Sequence, residues 1–282
     1  MEVVRAKTAG FCFGVKRAVH IAAEEGARAD GAPCYTYGPI IHNSIVVEDM
    51  RKRGVGVLRN EEELRNLQEG TVIIRSHGVP KRIEDLIKSK GLRYVDATCP
   101  FVKKIHQIVH KAGKEGCDVI ITGDPLHPEV QGIMGWTTSP VTILSSPEEA
   151  KKYRLQAGKK AVLVSQTTFS YRKFQDIVEI LREMGYHISV LNTICSATKA
   201  RQEEAARIAG EVDAMLVIGD SKSSNTQKLF EISKRACNNT YFIQTLDDLE
   251  LNQLGSSETV GITAGASTPN KIIEEVQKAC QI

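Results

Sequence analysis

The chain has 282 residues, of which 41% are hydrophobic and 25% are charged, the composition of an ordinary globular protein. The formal net charge is only +3, and no run of lysine or arginine marks a surface for nucleic acid. No apolar run is long enough to span a membrane, and residues 1–5 resemble a strand rather than a signal peptide. We therefore expect a cytoplasmic protein with no nucleic-acid partner and no membrane segment.

Predicted strands alternate with helical patterns along the whole chain, and several of them are almost entirely apolar. In chain order they cover residues 3–6, 33–37, 71–75, 92–95, 118–122, 141–144, 160–164, 187–191, 214–218, 240–243 and 259–263. Apolar strands of this kind are typical of parallel sheets that are covered by helices on both faces. The alternation therefore predicts an α/β fold with parallel-type sheets.

Seven cysteines are scattered along the chain, and no two of them form a Cys-x-x-Cys pair. An odd, scattered set does not suit a disulfide framework, and the missing pair argues against a zinc ribbon, a thioredoxin-type site or a ferredoxin-type cluster run. In a reducing compartment these side chains are expected to be free thiols or metal ligands.

Three of the cysteines occur in similar loops, each just after a predicted strand and just before a predicted helix. They are Cys12, Cys99 and Cys195, and they lie 87 and 96 residues apart. A second polar loop follows each cysteine after 28–30 residues, at His42, His127 and Ser223, and a third after 65–72 residues, at His77, Thr167 and Ser267.

This recurrence predicts three similar α/β units of about ninety residues each. We place them at residues 1–91 with Cys12, His42 and His77; at 92–186 with Cys99, His127 and Thr167; and at 187–282 with Cys195, Ser223–Asn225 and Ser267. Ligands bind outside the carboxyl ends of strands in open parallel sheets. If a pseudo-threefold axis relates the units, these loops converge on one central pocket that can hold a cluster.

Three thiolates are one fewer than a structural zinc or cluster site normally uses. A cubane iron–sulfur cluster with three protein-bound irons and one open iron suits the set Cys12, Cys99 and Cys195. Helix amino-termini favour the thiolate form of each of them. The remaining cysteines, Cys34, Cys117, Cys237 and Cys280, are expected to be small buried apolar residues.

The polar loops indicate an anion site. Histidine, serine, threonine and asparagine donors, together with free helix N–H groups, suit phosphate oxygens, and Ser223, Ser224 and Asn225 open a predicted helix. A metal site of three histidines and three cysteines is the alternative, but it leaves the serine and threonine positions without a role. Neither a Walker loop nor a G-x-G-x-x-G motif supports nucleotide binding. Glu129, two residues after His127, is the candidate proton donor.

Seven motifs, in order along the chain, resemble those of the 4-hydroxy-3-methylbut-2-enyl diphosphate reductases. They are GFCFGV at 10–15, IRSHG at 74–78, DATCP at 96–100, HPEV at 127–130, NTIC at 192–195, SSNT at 223–226 and AGASTP at 264–269. The motifs span almost the full chain, and together they are far more specific than any of them alone.

The resemblance implies the last step of the non-mevalonate isoprenoid pathway, in which an allylic diphosphate loses its hydroxyl group and yields isopentenyl and dimethylallyl diphosphates. It implies a [4Fe–4S] cluster on Cys12, Cys99 and Cys195, and a ferredoxin or flavodoxin as electron donor. It also assigns diphosphate binding to His42, His77, Ser223, Ser224, Asn225 and Ser267, with His127 lining the pocket and Thr167 with Glu129 forming the proton path.

Two other classes of function remain open from the sequence. An open-iron cluster can serve as a Lewis acid without net redox change, as in a dehydratase or an enzyme resembling quinolinate synthase. A reductase needs an electron donor for turnover, whereas such a lyase does not, and this requirement distinguishes the two. A non-catalytic iron–sulfur sensor is the third class, and it requires a partner surface that no basic patch or apolar stripe suggests.

Overall fold

The computed structural model describes residues 1–28, 31–255 and 257–281. Strands and helices alternate throughout, as the sequence predicts. They are β1 (Glu2–Arg5), α1 (Phe13–Gly26), β2 (Cys34–Tyr37), α2 (Ser44–Lys52), β3 (Val55–Leu58), α3 (Glu61–Asn66), β4 (Thr71–Ile74), α4 (Lys81–Ser89), β5 (Arg93–Asp96), α5 (Pro100–Lys114), β6 (Asp118–Thr122), α6 (Pro128–Met134), β7 (Val141–Leu144), α7 (Pro147–Lys152), β8 (Ala161–Ser165), α8 (Tyr171–Glu183), β9 (Ile188–Val190), α9 (Ser196–Ala209), β10 (Ala214–Ile218), α10 (Ser224–Ala236), β11 (Thr240–Ile243), β12 (Thr259–Ala264) and α11 (Asn270–Cys280).

The described strands form three four-stranded sheets in which every pairing is parallel. Sheet 1 has the order β3-β2-β4-β5, sheet 2 the order β7-β6-β8-β9, and sheet 3 the order β11-β10-β12-β1. The three orders are the same, because β1 occupies in sheet 3 the edge position that β5 and β9 occupy in the other two. The predicted α/β class with parallel sheets is confirmed.

The three predicted segments do not each contain one complete sheet. β1 pairs with β12 in sheet 3, β5 pairs with β4 in sheet 1, and β9 pairs with β8 in sheet 2. The first strand of every segment therefore belongs to another segment's sheet. An apolar run predicts a strand but carries no information about its partner, so the segment boundaries could not place these edge strands.

One strand was missed by the sequence analysis. β3 is the run Val-Gly-Val-Leu, which lies at the edge of sheet 1 beside β2. A glycine inside so short a run weakens the strand pattern, and the partial exposure of an edge strand removes the continuous apolar signal.

The described residues divide into two compact units. The first consists of residues 1–16, 42–47 and the chain from 195 onward, and it contains sheet 3. The second consists of residues 17–41 and 48–194, and it contains sheets 1 and 2. The core of the first unit is built on buried residues of β10 and β12, among them Leu216, Ile218 and Ile262. No helix in the described parts of the chain has both the length and the apolar character needed to cross a membrane.

The placement of β12 between β10 and β1 predicts a large effect of shortening Ile262, which is fully buried. Ile262→Ala should lower the free energy of unfolding by about 2–5 kcal/mol. Ile188→Ala, at the partly exposed edge strand β9, is the matched control and should cost less than half as much. Urea unfolding measures both, and equal losses would contradict the interior position of β12.

Candidate functional site

The three candidate cysteine ligands all lie at helix amino-termini. Cys99 and Cys195 are the N-cap residues of α5 and α9, and Cys12 directly precedes α1. All three are partly exposed, as is Cys117, whereas the other cysteines are buried. Burial of Cys117 was therefore predicted wrongly, since it packs at the rim of a core cluster rather than inside it. A helix amino-terminus favours the thiolate, which is the form that binds metal.

In the first unit, a buried arginine accompanies two of these cysteines. Arg201 lies on α9, the helix that begins after Cys195, and its guanidinium donates to the carbonyl oxygens of Gly10 at 2.5 Å and Ala264 at 3.1 Å. Burial lowers the pKa of Arg201, while the charges of Cys12 and Cys195 raise it. Among the described residues, its buried Nε atom has no hydrogen-bond partner. A buried cation beside two cysteines suits an anionic thiolate centre, so these residues fit the iron–sulfur cluster that the sequence predicts.

A second group of candidate residues meets where β10 and β12 end. The hydroxyl of Ser267 donates to the backbone oxygen of His42 at 2.9 Å, and it lies 3.4 Å from the hydroxyl oxygen of Ser223. Ser223 is the N-cap of α10 and accepts a hydrogen bond from Thr226 N at 3.3 Å. The loop of Cys12 is tied to the same place, because Cys12 N donates to Ala266 O at 3.2 Å.

The start of α10 contains the best-defined anion-binding feature of the first unit. Asn225 is only 4% exposed, and both polar atoms of its side-chain amide lack a hydrogen-bond partner among the described residues. A buried amide without a partner is costly, which favours a ligand in this position. Ser224 lies beside it, and the amino-terminal N–H groups of a helix of 13 residues face the same end. These donors fit a diphosphate.

Asp220 holds this region together and was not predicted. It is buried, and its carboxylate accepts hydrogen bonds from Ser44 N at 2.9 Å and Lys222 N at 2.8 Å. Burial by itself raises the pKa of Asp220, but these hydrogen bonds hold it below its ordinary value. Asp220 thus fixes the residues after His42 relative to those before Ser223. A carboxylate two residues after an apolar strand was the available sequence signal.

In the second unit, the loops of Cys99, His77 and His127 lie close to one another. Cys99 N donates to Ser76 O at 2.9 Å, and the rings of His77 and His127 meet edge to face with centroids 5.3 Å apart. His127 is the N-cap of α6, and its Nδ1 accepts a hydrogen bond from Glu129 N at 3.1 Å. Because Nδ1 is the acceptor, the neutral ring carries its proton on Nε2, where it can be donated.

Glu129 and Thr167 form a buried hydrogen-bonded pair. Thr167 N donates to one carboxylate oxygen of Glu129 at 2.6 Å, and the Thr167 hydroxyl donates to the other at 2.7 Å. Burial raises the pKa of Glu129 from 4.5 to about 7, although the two bonds from Thr167 lower it. A carboxyl group with such a pKa holds a transferable proton near neutral pH.

The structure places the predicted site residues in turns between a strand and a helix or, for Glu129, Ser224 and Asn225, in the first turn of the helix that follows. In the first unit it brings together His42, Ser223 and Ser267. It also places Arg201 on the helix capped by Cys195 and bonds it to Gly10, in the loop of Cys12. In the second unit it brings together His77 and His127, and Glu129 and Thr167. Arg201 was missed because a single arginine in a helical pattern gives no sign of burial.

Comparison with known proteins agrees with this architecture. Residues 3–281 match the family model described as LytB protein. The chain is 46% identical over 276 residues to the 4-hydroxy-3-methylbut-2-enyl diphosphate reductase of Caldanaerobacter subterraneus subsp. tengcongensis, covering 98% of this chain and 95% of that one.

Two solved structures are similar over nearly the whole chain. The E-1-hydroxy-2-methyl-but-2-enyl-4-diphosphate reductase from Plasmodium falciparum matches with a TM-score of 0.91 and 31% identity, over 99% of this chain and 87% of that one. A structure of (E)-4-hydroxy-3-methyl-but-2-enyl diphosphate reductase, described as the terminal enzyme of the non-mevalonate pathway, matches with a TM-score of 0.69 and 39% identity, over 100% and 99%.

Fold and site together define a parallel α/β protein whose candidate ligands and polar donors lie where strands end and helices begin. The family model covers nearly the full length, and a curated relative shares 46% identity. The chain belongs to the LytB protein family.

The partnerless amide of Asn225 leads to a binding prediction. In the double variant Ser224→Ala/Asn225→Ala, the loss of two hydrogen bonds to a charged ligand, at about 1.5–3 kcal/mol each, should weaken pyrophosphate binding by two or more decades. Calorimetric titration measures the affinity. Asn238→Ala, at an exposed position just beyond the same helix, is the control and should leave it unchanged. Equal affinities for the double variant and the control would show that the start of α10 does not bind the anion.

Proposed function

We propose that this chain catalyses the reductive removal of the hydroxyl group from (E)-4-hydroxy-3-methylbut-2-enyl diphosphate. The products are isopentenyl and dimethylallyl diphosphates, and the reaction is the last step of the non-mevalonate isoprenoid pathway. The observation that carries this proposal is the full-length similarity to relatives named for that reaction. Because those relatives are reductases, a non-redox lyase resembling quinolinate synthase is not favoured.

The cofactor we propose is one [4Fe–4S] cluster per chain, held by Cys12, Cys99 and Cys195 with one iron left open. When bound, it supplies electrons and a Lewis-acidic position to the reaction. The support from this chain is chemical: all three cysteines are partly exposed at helix amino-termini, and Arg201 provides a buried positive charge near two of them. Free thiols among the described residues also suit a reducing compartment, so we place the protein in the cytoplasm.

Substrate binding is assigned to the donors in the strand-to-helix turns. The diphosphate would accept hydrogen bonds from Ser223, Ser224 and Asn225 at the start of α10, and from Ser267 and His42 beside it. His77 and His127 are further donors, and the neutral ring of His127 carries its proton on Nε2 because Nδ1 accepts from Glu129 N. Neutral donors bind the phosphate groups and fix their orientation without adding formal charge.

The remaining task of the protein is to deliver protons. The overall reaction adds two electrons and two protons, breaks the carbon–oxygen bond, forms a carbon–hydrogen bond and releases water. Hydroxide is a poor leaving group, so a positioned acid accelerates the step. We assign this role to Glu129, with the hydroxyl of Thr167, 2.7 Å from its carboxylate, as the neighbouring relay. A ferredoxin or flavodoxin is the proposed source of electrons.

Replacing the cysteines tests the cofactor assignment. Cys12→Ser, Cys99→Ser and Cys195→Ser should each lose most of the bound iron and most of the activity, because serine is a poor substitute for a thiolate ligand. Iron and sulfide analysis after anaerobic reconstitution gives the measurement. Cys117→Ser is the control, since this cysteine is also partly exposed, and it should retain both iron and activity. Full iron content in the first three variants would exclude them as ligands.

Replacing Glu129 tests the proton donor. An acid must be protonated to act, and the pKa of Glu129 is about 7, so the rate of the parent enzyme should fall as the pH rises through this value. Glu129→Gln keeps the size of the side chain but has no transferable proton. It should bind substrate normally, turn over about 10²–10⁴-fold more slowly, and show no such inflection near pH 7.

Steady-state rates with a reduced viologen dye measure both effects. Glu148→Gln is the matched control, because Glu148 also lies in the first turn of a helix but is exposed. It should behave like the parent enzyme. A Glu129→Gln rate within threefold of the parent would show that the proton comes from another group.

A further inference from the structure

Helix α9 begins next to one candidate cluster ligand, Cys195, and its side chains hydrogen-bond to the loop that leads to another, Cys12. It begins after Cys195, and two of its residues bind the loop that leads to Cys12. Glu204 accepts hydrogen bonds from Lys7 N at 2.9 Å, Thr8 N at 2.9 Å and the Thr8 hydroxyl at 2.6 Å. One turn earlier on the helix, Arg201 donates to Gly10 O of the same loop at 2.5 Å.

The positive charge of Arg201 is not neutralised by a direct ionic contact among the described residues. The side chain is 4% exposed, its two observed acceptors are neutral carbonyl oxygens, and its Nε has no partner in the described chain. No ion pair joins it to a carboxylate of the described residues. A buried guanidinium stays protonated, and burying an uncompensated charge is strongly unfavourable. An anion must therefore lie nearby in the working protein.

The position of Arg201 identifies this anion. Arg201 lies on the helix that begins after Cys195, and its guanidinium binds Gly10 O, two residues before Cys12. The charges of both cysteines also raise the pKa of Arg201, ahead of that of Glu204. Glu204 is partly exposed, and three hydrogen-bond donors already share its charge. The two cysteines, which are thiolates when they bind metal, are therefore the better counter-charges.

We infer that Arg201 is the buried counter-cation of the Cys12 and Cys195 thiolates and that its fixed charge sets the reduction potential of the cluster they hold. The inference rests on the proposed ligands. Reduction adds one negative charge to the cluster, and a nearby cation in a poorly solvated place stabilises the reduced form. Arg201 thus raises the potential and makes the centre easier to reduce by its donor.

Three variants separate the charge of Arg201 from its structural role. Arg201→Gln removes the charge but keeps hydrogen-bond donors, whereas Arg201→Lys keeps the charge and loses the planar fork. Arg207→Gln removes an equal charge from an exposed site on the same helix and serves as the control. Each reconstituted protein is analysed for iron, and its cluster is titrated with dithionite while the electron paramagnetic resonance signal is recorded.

Arg201→Gln should shift the redox equilibrium towards the oxidised cluster at least tenfold, which is about 59 mV for one electron. Arg201→Lys and Arg207→Gln should remain within threefold of the parent. An iron-loaded Arg201→Gln protein with an unchanged potential overturns the inference, and so does an equal shift in the glutamine and lysine variants.

A second measurement keeps the test decisive if Arg201→Gln does not retain iron. Iron content after reconstitution is then compared between Arg201→Gln and Arg201→Lys, with circular dichroism showing that both chains are folded. The lysine variant, which keeps the charge, should load at least threefold more iron. Equal iron content in the two folded variants overturns the inference, whereas a folded parent chain that binds no iron refutes the proposed cluster.

Discussion

Parallel strand pairing is the constraint on which the rest of the structure depends. In a parallel sheet all strands end at the same edge, and the helix that follows each strand begins there. The candidate functional residues of this chain occupy these turns or the first turn of the helix that follows. Cys99, for example, follows β5 and caps α5, while Ser223 follows β10 and caps α10. The fold therefore supplies helix amino-termini, with their free N–H groups, wherever the chemistry needs an anion or a thiolate.

Sheet membership also changes how the candidate residues are grouped. β1 completes sheet 3, so the loop of Cys12 lies next to the loop of Ser267 and is bonded to it through Ala266. Likewise β5 completes sheet 1, and Cys99 N is bonded to Ser76 O, next to His77. Each of these cysteines follows the edge strand of a sheet whose inner strands carry polar donors. The same strand order recurs in the three sheets, but each sheet begins one strand later than the predicted segment.

Three buried ionisable side chains are stabilised in three different ways. Glu129 is raised in pKa by burial and can hold its proton near neutral pH. Asp220 stays ionised because two backbone N–H groups donate to it. Arg201 has only neutral acceptors and the nearby cysteines. The first arrangement suits proton transfer, the second suits the positioning of a loop, and the third suits an anionic metal centre.

The sequence by itself determined the α/β class, the parallel strands and the turns that carry Cys12, His127 and Ser223, because apolar periodicity and the position of polar residues after strands are local properties. It could not determine the partners of β1, β5 and β9, the short edge strand β3, or the partial exposure of Cys117. Those depend on contacts between residues that are distant in the chain. Arg201 and Asp220 gained their importance in the same way, since burial and charge compensation exist only once the tertiary structure has formed.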